Sequence, residues 1–174
     1  MSVLQWVGSA FVLTASAGLG FYKAERLRKR VEALRSVQGG LQLLDTEIAF
    51  SATPLPRALV RIARVCAPPA SVIFADAAEG LASRPEVGAG VHWEAAVGKR
   101  CAELALAPAD EEILVQFGRT LGVSDREDQR KHIRMALERL SVQEREAAGE
   151  AAQRVRMWRS LGILAGLAVV VLLM

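Results

Sequence analysis

The stretch Leu27–Ile48, LRKRVEALRSVQGGLQLLDTEI, decides the fold of this chain. Its apolar side chains recur every three or four residues, interrupted only at Gln38, which is the spacing of one face of an α-helix. The pattern predicts a long amphipathic helix that ends at about Phe50. Gly39 and Gly40 weaken this helix locally and mark either a kink or a close crossing with another helix. The apolar face consists of Leu27, Val31, Leu34, Leu41, Leu44 and Ile48.

Both ends of the chain are apolar and long enough to cross a membrane. Residues 2–22 carry no charged side chain, and at about 1.5 Å per residue they measure about 30 Å, the thickness of the hydrocarbon core of a bilayer. A second apolar stretch, 157–174, closes the chain. We therefore expect transmembrane helices at 1–22 and 157–174, with a domain formed by 23–156 between them.

Basic residues flank both predicted spans on the side that faces the middle of the chain. A cleaved signal peptide would carry its basic residues before the apolar run, whereas here they follow it, so we expect an uncleaved anchor. Basic flanks stay in the cytoplasm, which predicts that both termini lie outside and the middle domain lies inside. The flanking residues are Lys23, Arg26, Arg28, Lys29, Arg30, Arg154, Arg156 and Arg159.

The charge of the chain argues against a nucleic-acid partner. The formal net charge is +3, but residues 36–153 alone carry −4, so the positive excess belongs to the membrane flanks. Aromatic residues make up only 5% of the chain, and no basic stripe is interleaved with them. We expect the partners to be the membrane and other proteins.

The middle of the chain reads as helices throughout, because no run shows the alternation of a β-strand. Thr53 suits an N-cap and Pro54 a first-turn position, which predicts a second helix that ends at about Val65. Pro68-Pro69 ends that segment, and residues 70–83 suit a third helix.

Three further helices complete the prediction. A fourth carries Val91, Trp93, Val97 and Leu104. A fifth opens at Pro108, with the acids Asp110, Glu111 and Glu112 in its first turn, and ends at Gly122. The pair Ser124 and Glu127 has the spacing of a capping box and predicts a sixth helix that continues into the second span. The expected fold is all-α, a cytosolic antiparallel bundle of about six helices with a transmembrane helix at each end.

The sequence offers no recognisable catalytic or metal site. It contains no Walker A motif, no G-x-S-x-G and no H-E-x-x-H, and the adjacent acids Glu111 and Glu112 diverge on a helix. Cys66 and Cys101 lie far apart among apolar neighbours and are expected in the core. We expect no enzymatic activity, no cofactor and no small-molecule substrate. The charge run 126–131 is interpreted as a solvated face, with contact to a partner as the alternative.

Three segments carry a resemblance to a known family. Leu44–Phe50 followed by Thr53–Leu55, Gln116–Gly122 followed by Gln129–Ile133, and the C-terminal Ser160–Met174 resemble the corresponding segments of stage III sporulation protein AB. The resemblance covers essentially the whole chain. Phe50 departs from the pattern, because a tyrosine is common at this position in the family.

This resemblance implies a role in endospore formation. Members of the family belong to the channel complex between mother cell and forespore, and they sit in the mother-cell membrane that surrounds the forespore. Their cytosolic domain is similar to the inner-membrane platform protein of type II secretion machines. The resemblance therefore implies a platform that docks a secretion-type ATPase, the AA protein of the same system, to the membrane and to other stage III sporulation channel proteins. A passive tether of the same complex and an unrelated membrane-anchored helical adaptor remain as alternatives.

Four residues at the end of the first helix are the candidate site. Glu47 is a lone acid between Leu44 and Ile48, so it is either an internal pairing group or a residue that docks a partner. Thr53, Pro54 and Leu55 either shape the turn before the second helix or contact a partner.

Overall fold

The computed structural model describes the backbone of residues 3–50, 53–123 and 125–173, and the side chains of 25–50, 53–123, 125–153 and 156–157. No β-strand occurs in the described backbone, and six α-helices follow one another, as predicted. The helices are α1 Val3–Phe50, α2 Leu55–Val65, α3 Ser71–Ser83, α4 Ala89–Arg100, α5 Pro108–Gly118 and α6 Arg126–Leu173, with a short 3-10 helix at Pro85–Val87 before α4.

The chain divides into two compact units. One comprises residues 1–28 and 147–174, and the other, here called the bundle, comprises residues 29–146. The predicted spans are 1–22 and 157–174. Of the side chains in these two ranges, the structure describes only that of Met157. Among the described residues, neither long helix offers a stretch both long and apolar enough to cross a membrane. Both spans therefore stay predictions, as does the membrane boundary of the domain 23–156.

Within the bundle, α1 and α6 run antiparallel. Arg35 Nε lies 2.6 Å from Glu144 Oε1, and ten residues further along α1 Asp45 Oδ1 lies 2.9 Å from Arg130 Nε. As the residue numbers rise along α1, those of the paired residues on α6 fall. The two helices therefore run in opposite directions. Hydrogen bonding to Arg35 holds the pKa of Glu144 below its ordinary value. The predicted antiparallel arrangement is confirmed.

Trp93 of α4 lies at the centre of the core. Its ring meets those of Phe74 in α3 and Phe117 in α5 edge to face, with centroids 5.2 and 5.3 Å apart. Its Nε1 donates a hydrogen bond to the carbonyl oxygen of Leu114 at 2.9 Å, so the polar end of the ring is also satisfied. Helices α3, α4 and α5 thus pack on one aromatic cluster. The α1 face closes this core with buried residues that include Leu34, Leu41 and Leu44.

At Gly40, α1 lies close against the side chain of Phe74 in α3. A Cβ atom built on Gly40 would lie 2.3 Å from Phe74 Cε2, a distance that real side chains do not tolerate. At Gly39, by contrast, the added atom would meet nothing within 4 Å. The helix is continuous through both glycines. Of the two alternatives for this pair, the structure shows the close crossing, and only Gly40 is responsible for it.

The predicted start of α2 is wrong by one residue. The helix begins at Leu55, and Pro54, not Thr53, occupies the N-cap position. The carbonyl oxygen of Pro54 accepts the N–H groups of Arg57 and Ala58 at 3.0 and 3.1 Å. The side chain of Thr53 makes no cap hydrogen bond among the described residues. Pro56 in the first turn needs no acceptor for its nitrogen, so the helix forms without a side-chain cap.

The boundaries of the later helices differ from the prediction in a similar way. Helix α4 ends at Arg100, so Leu104 lies in the turn that follows it, although it is buried as expected. Helix α5 ends at Gly118, and Gly122, with φ +80°, lies at the end of the next turn. Ser124 lies outside the described residues. Asp125 caps α6 instead.

The Asp125 cap has a definite geometry. Its Oδ1 accepts the N–H of Asp128 at 2.8 Å, and its carbonyl oxygen accepts the N–H of Gln129 at 2.9 Å. Asp125 is as good an N-cap residue as serine, so the cap can lie one residue later than the capping-box pattern indicates.

An ion pair between Arg30 and Asp110 joins α1 to the start of α5. Arg30 Nε and Nη2 lie 2.7 and 2.9 Å from the two carboxylate oxygens, and Asp110 is 0% exposed. Asp110 also accepts the N–H of Ala107, and Arg30 donates to Gln143 Oε1 on α6 at 2.8 Å. Arg30 was predicted as part of the basic membrane flank. The structure places it in the bundle, where its charge neutralises a buried acid.

Replacement of Gly40 by alanine should destabilise the fold. The added methyl group must displace a ring held against Trp93, and overpacking of this kind costs about 1–3 kcal/mol. The matched control Gly39→Ala should raise the free energy of unfolding by up to about 1 kcal/mol, because alanine has the higher helix propensity and the surroundings are open. Thermal unfolding of the two full-length variants, followed by circular dichroism, measures both effects. Equal melting temperatures for the two variants would contradict the close crossing.

Removal of the buried carboxylate should be more damaging than removal of a neighbouring exposed one. Asp110→Ala leaves the Arg30 charge largely buried without its partner, which costs about 3–5 kcal/mol. Glu112→Ala removes an exposed acid two residues further along the same helix and costs at most about 1 kcal/mol. Chemical denaturation of both variants tests this difference. The role assigned to Asp110 would be wrong if the two losses were equal.

Candidate interaction surface

Two of the three segments that carry the family resemblance meet at one end of the bundle. Asp45 in the first segment binds Arg130 in the second at 2.9 Å. A Cβ atom built on Gly122 would lie 3.4 Å from Leu55 Cδ2, so the turn after α5 lies near the start of α2. We call this the distal end, because Ile48 lies 19 helical residues, about 28 Å, from Lys29, where α1 enters the bundle.

A basic cleft of about 580 Å³ opens at the distal end, between the last turns of α1 and the first turns of α6. Four of its residues are basic and two are acidic, so its walls carry a net positive charge. Arg130 is held by Asp45, but no described acidic side chain lies within ion-pair distance of Arg126, Lys131 or Arg134. The lining consists of Ile48, Ala49, Arg126, Glu127, Asp128, Arg130, Lys131 and Arg134.

Two large apolar side chains are exposed at the same end. Phe50, the last residue of α1, is 87% exposed, and Val123, in the turn between α5 and α6, is 84% exposed. Aromatic and apolar anchors beside arginine are characteristic of protein interfaces. The surface therefore combines positive charge with exposed apolar area.

Glu47 lies beside this surface but is itself nearly buried. Its side chain is 12% exposed, and its Oε1 lies 2.9 Å from Arg61 Nη1 on α2. Its other oxygen, Oε2, is buried and has no hydrogen-bond partner among the described residues. A group that offers so little surface suits the internal pairing role better than direct docking. The two alternatives are still separated only by experiment.

The other three candidate residues lie in the turn between α1 and α2. Thr53 is half-buried and Pro54 is exposed. Leu55 packs against the hydrophobic core. This placement suits the role of shaping the turn, since the Pro54 carbonyl starts α2 and Leu55 anchors it.

Most of the predicted basic flank residues either lie outside the bundle or have side chains outside the described part of the structure. Arg26 and Lys29 are exposed, and Arg28 lies 3.7 Å from Glu25 in an exposed pair. Arg156 is also exposed. The side chains of Lys23, Arg154 and Arg159 lie outside the described residues. Of the five flank residues whose side chains are described, only Arg30 makes a buried contact.

The two cysteines are buried, as predicted. Burial raises the pKa of the Cys101 thiol to about 12, and it also raises the pKa of Cys66. Both therefore stay protonated at neutral pH and are poor nucleophiles. His92 is buried, and its Nε2 lies 2.8 Å from the carbonyl oxygen of Arg84. No group of acids, cysteines and histidines in the described part of the chain could hold a metal ion.

The cleft itself was not predicted. The charge run that lines it is solvated, as interpreted, since Arg126, Glu127, Asp128 and Lys131 are exposed. The structure adds Ile48 and Ala49 as the opposite wall. The available signal was the spacing of Arg126, Arg130 and Arg134, which recur every fourth residue and so share one face of α6. What the pattern could not supply is the neighbour of that face, which depends on the register between α1 and α6.

The fold and the cleft define a helical-bundle protein with a basic interaction surface. A model of the family "Stage III sporulation protein AB" matches residues 5–174. The Stage III sporulation protein AB of Bacillus subtilis (strain 168) is 36% identical over 172 residues, which is 99% of this chain and all of that protein. A solved structure of stage III sporulation protein AB superposes with a TM-score of 0.65 at 35% identity, and the match covers 73% of this chain and 98% of that chain. The chain belongs to the stage III sporulation protein AB family.

Replacement of Glu47 by glutamine separates its two possible roles. If Glu47 is an internal pairing group, loss of its charge weakens the bond to Arg61 and costs about 1 kcal/mol. Arg61→Gln should then cost a similar amount, and the double variant no more than either single variant. Thermal unfolding of all three measures this. A stable Glu47→Gln variant that no longer binds its partner would instead assign Glu47 to docking.

Proposed function

We propose that this protein is a membrane-anchored platform component of the complex that endospore-forming bacteria build between mother cell and forespore. Membership of the stage III sporulation protein AB family supports a role in a sporulation complex. The predicted spans would hold it in the mother-cell membrane around the forespore, with both termini outside. The bundle would lie in the cytoplasm and dock the sporulation ATPase, the AA protein, alongside other stage III sporulation proteins.

The observation that carries the docking proposal is the basic cleft with its exposed apolar neighbours. Residues 36–153 carry a net charge of −4, yet the cleft concentrates four basic side chains at one end of the bundle. Arg126, Lys131 and Arg134 have no acidic partner among the described residues, so their charges remain available to a binding partner. A local positive patch favours and orients the approach of an acidic partner.

The position of the cleft supports the same proposal. The chain enters the bundle at residue 29 of α1 and leaves it at residue 146 of α6. The cleft, by contrast, is formed by the last residues of α1 and the first residues of α6. A partner in the cleft would thus bind at the end of the bundle where the chain neither enters nor leaves.

Reversal of the cleft charge tests the proposal. The full-length protein in detergent should co-purify with its cognate AA protein, and Lys131→Glu/Arg134→Glu should weaken that binding at least about tenfold, with strong dependence on salt. The control Arg139→Glu/Arg145→Glu reverses the same charge on exposed residues of α6 that do not line the cleft, and it should bind like the parent.

Two results would contradict parts of this proposal. Equal binding by the cleft variant and the control would leave the ATPase partner intact but remove the cleft as its site. No binding by the folded parent protein would favour the alternative, a passive tether of the same complex.

A further inference from the structure

A second groove lies between α2 and α3, and it shares no residue with the basic cleft. Its volume is about 390 Å³. The α2 side presents Val60 and Val65, which are exposed although apolar, and the α3 side presents only Ala78 and Ala82. Alanines along one side of a groove allow the backbone of another helix to approach closely. The lining is Pro56, Arg57, Val60, Arg61, Arg64, Val65, Ala78 and Ala82.

Three arginines form the rim of this groove along α2. Arg57, Arg61 and Arg64 are spaced four and three residues apart, so they lie on one face of the helix over about two turns, about 10 Å. All three are exposed. Arg61 is paired with Glu47, but Arg57 and Arg64 have no acidic partner among the described residues. An apolar floor with a basic rim is left open on the surface of the bundle.

We propose that the α2–α3 groove binds an amphipathic, acidic α-helix of a partner protein. Such a helix would place apolar side chains against Val60, Val65 and the alanines, and acidic side chains opposite Arg57 and Arg64. Carboxylates spaced four and three residues apart on a helix aligned with α2 match the arginine spacing over the same two turns. Arginine suits this role because its planar group binds a carboxylate through two hydrogen bonds.

The shape and composition of the groove favour a helix over a lipid surface. Helices that lie on membranes insert large side chains such as Trp, Phe and Leu on their apolar face. The apolar residues here are valine, alanine and proline, and they line a concavity. A concave surface with small side chains accommodates the ridge of a protein helix, whereas it offers little to insert between lipids.

The test uses a defined peptide and the full-length protein in neutral detergent. The probe is a fluorescein-labelled, 18-residue alanine-rich helical peptide with leucines on one face and glutamates at positions i, i+4 and i+7. We expect saturable binding that weakens as salt rises. Arg57→Glu/Arg64→Glu should bind the peptide at least about tenfold more weakly, and a peptide with glutamine in place of glutamate should bind equally weakly. Circular dichroism confirms that the variant is folded, as expected for exposed side chains.

The matched control Arg139→Glu/Arg145→Glu has the same net charge change and should bind within about twofold of the parent. Equal binding of the peptide by the groove variant and the control would overturn the proposal. It would also be overturned if the groove variant retained peptide binding but lost binding to vesicles of phosphatidylglycerol, which would assign the groove to lipid. A change in oligomeric state by sedimentation, without a change in peptide binding, would assign it to a second copy of the chain.

Discussion

The contact between Arg30 and Asp110 is the constraint on which the arrangement of the bundle depends. A fully buried carboxylate must be neutralised, and Arg30 meets both of its oxygens within 2.9 Å. The same carboxylate accepts the N–H of Ala107, and the same guanidinium donates to Gln143. One ion pair therefore fixes the start of α5 against α1 and brings α6 alongside. The Trp93 bond to Leu114 then attaches α4 to α5.

This arrangement has a consequence at the distal end. Once α5 and α6 are held against α1, the turn between them comes to lie beside the start of α2, where Gly122 approaches Leu55. The last turns of α1 then face the first turns of α6, and the basic cleft forms between them. The cleft thus depends on contacts that lie outside it, and substitutions in the ion pair should alter it indirectly.

Much of the fold could be predicted from the sequence, because apolar spacing and proline positions act locally. The α1 face, the end of α2 at Val65 and the start of α5 at Pro108 all follow from such signals. Helix caps were less certain, since Pro54 and Asp125 can each serve where a neighbouring residue also suits the position. Tertiary pairing could not be predicted. Nothing in the sequence joins Arg30 to a residue 80 positions away, and so the arginine was assigned to a membrane flank.

The same limit applies to the interaction surfaces. The basic residues of the cleft and the groove have helical spacing that is visible in the sequence, but a charged helix face is usually just solvated. Only the packing of α1 against α6, and of α2 against α3, shows that apolar floors lie beside these charges. Two basic surfaces beside apolar side chains support the proposal of a platform that binds acidic partners.

Binding of the ATPase at the distal end can be measured by hydrogen–deuterium exchange of the full-length protein with and without the AA protein. If the basic cleft is the docking site, exchange slows in the presence of the ATPase at the end of α1 and in residues 126–134, with little change at the buried centre of α4. Unchanged exchange at the distal end, under conditions where the two proteins form a complex, would contradict it.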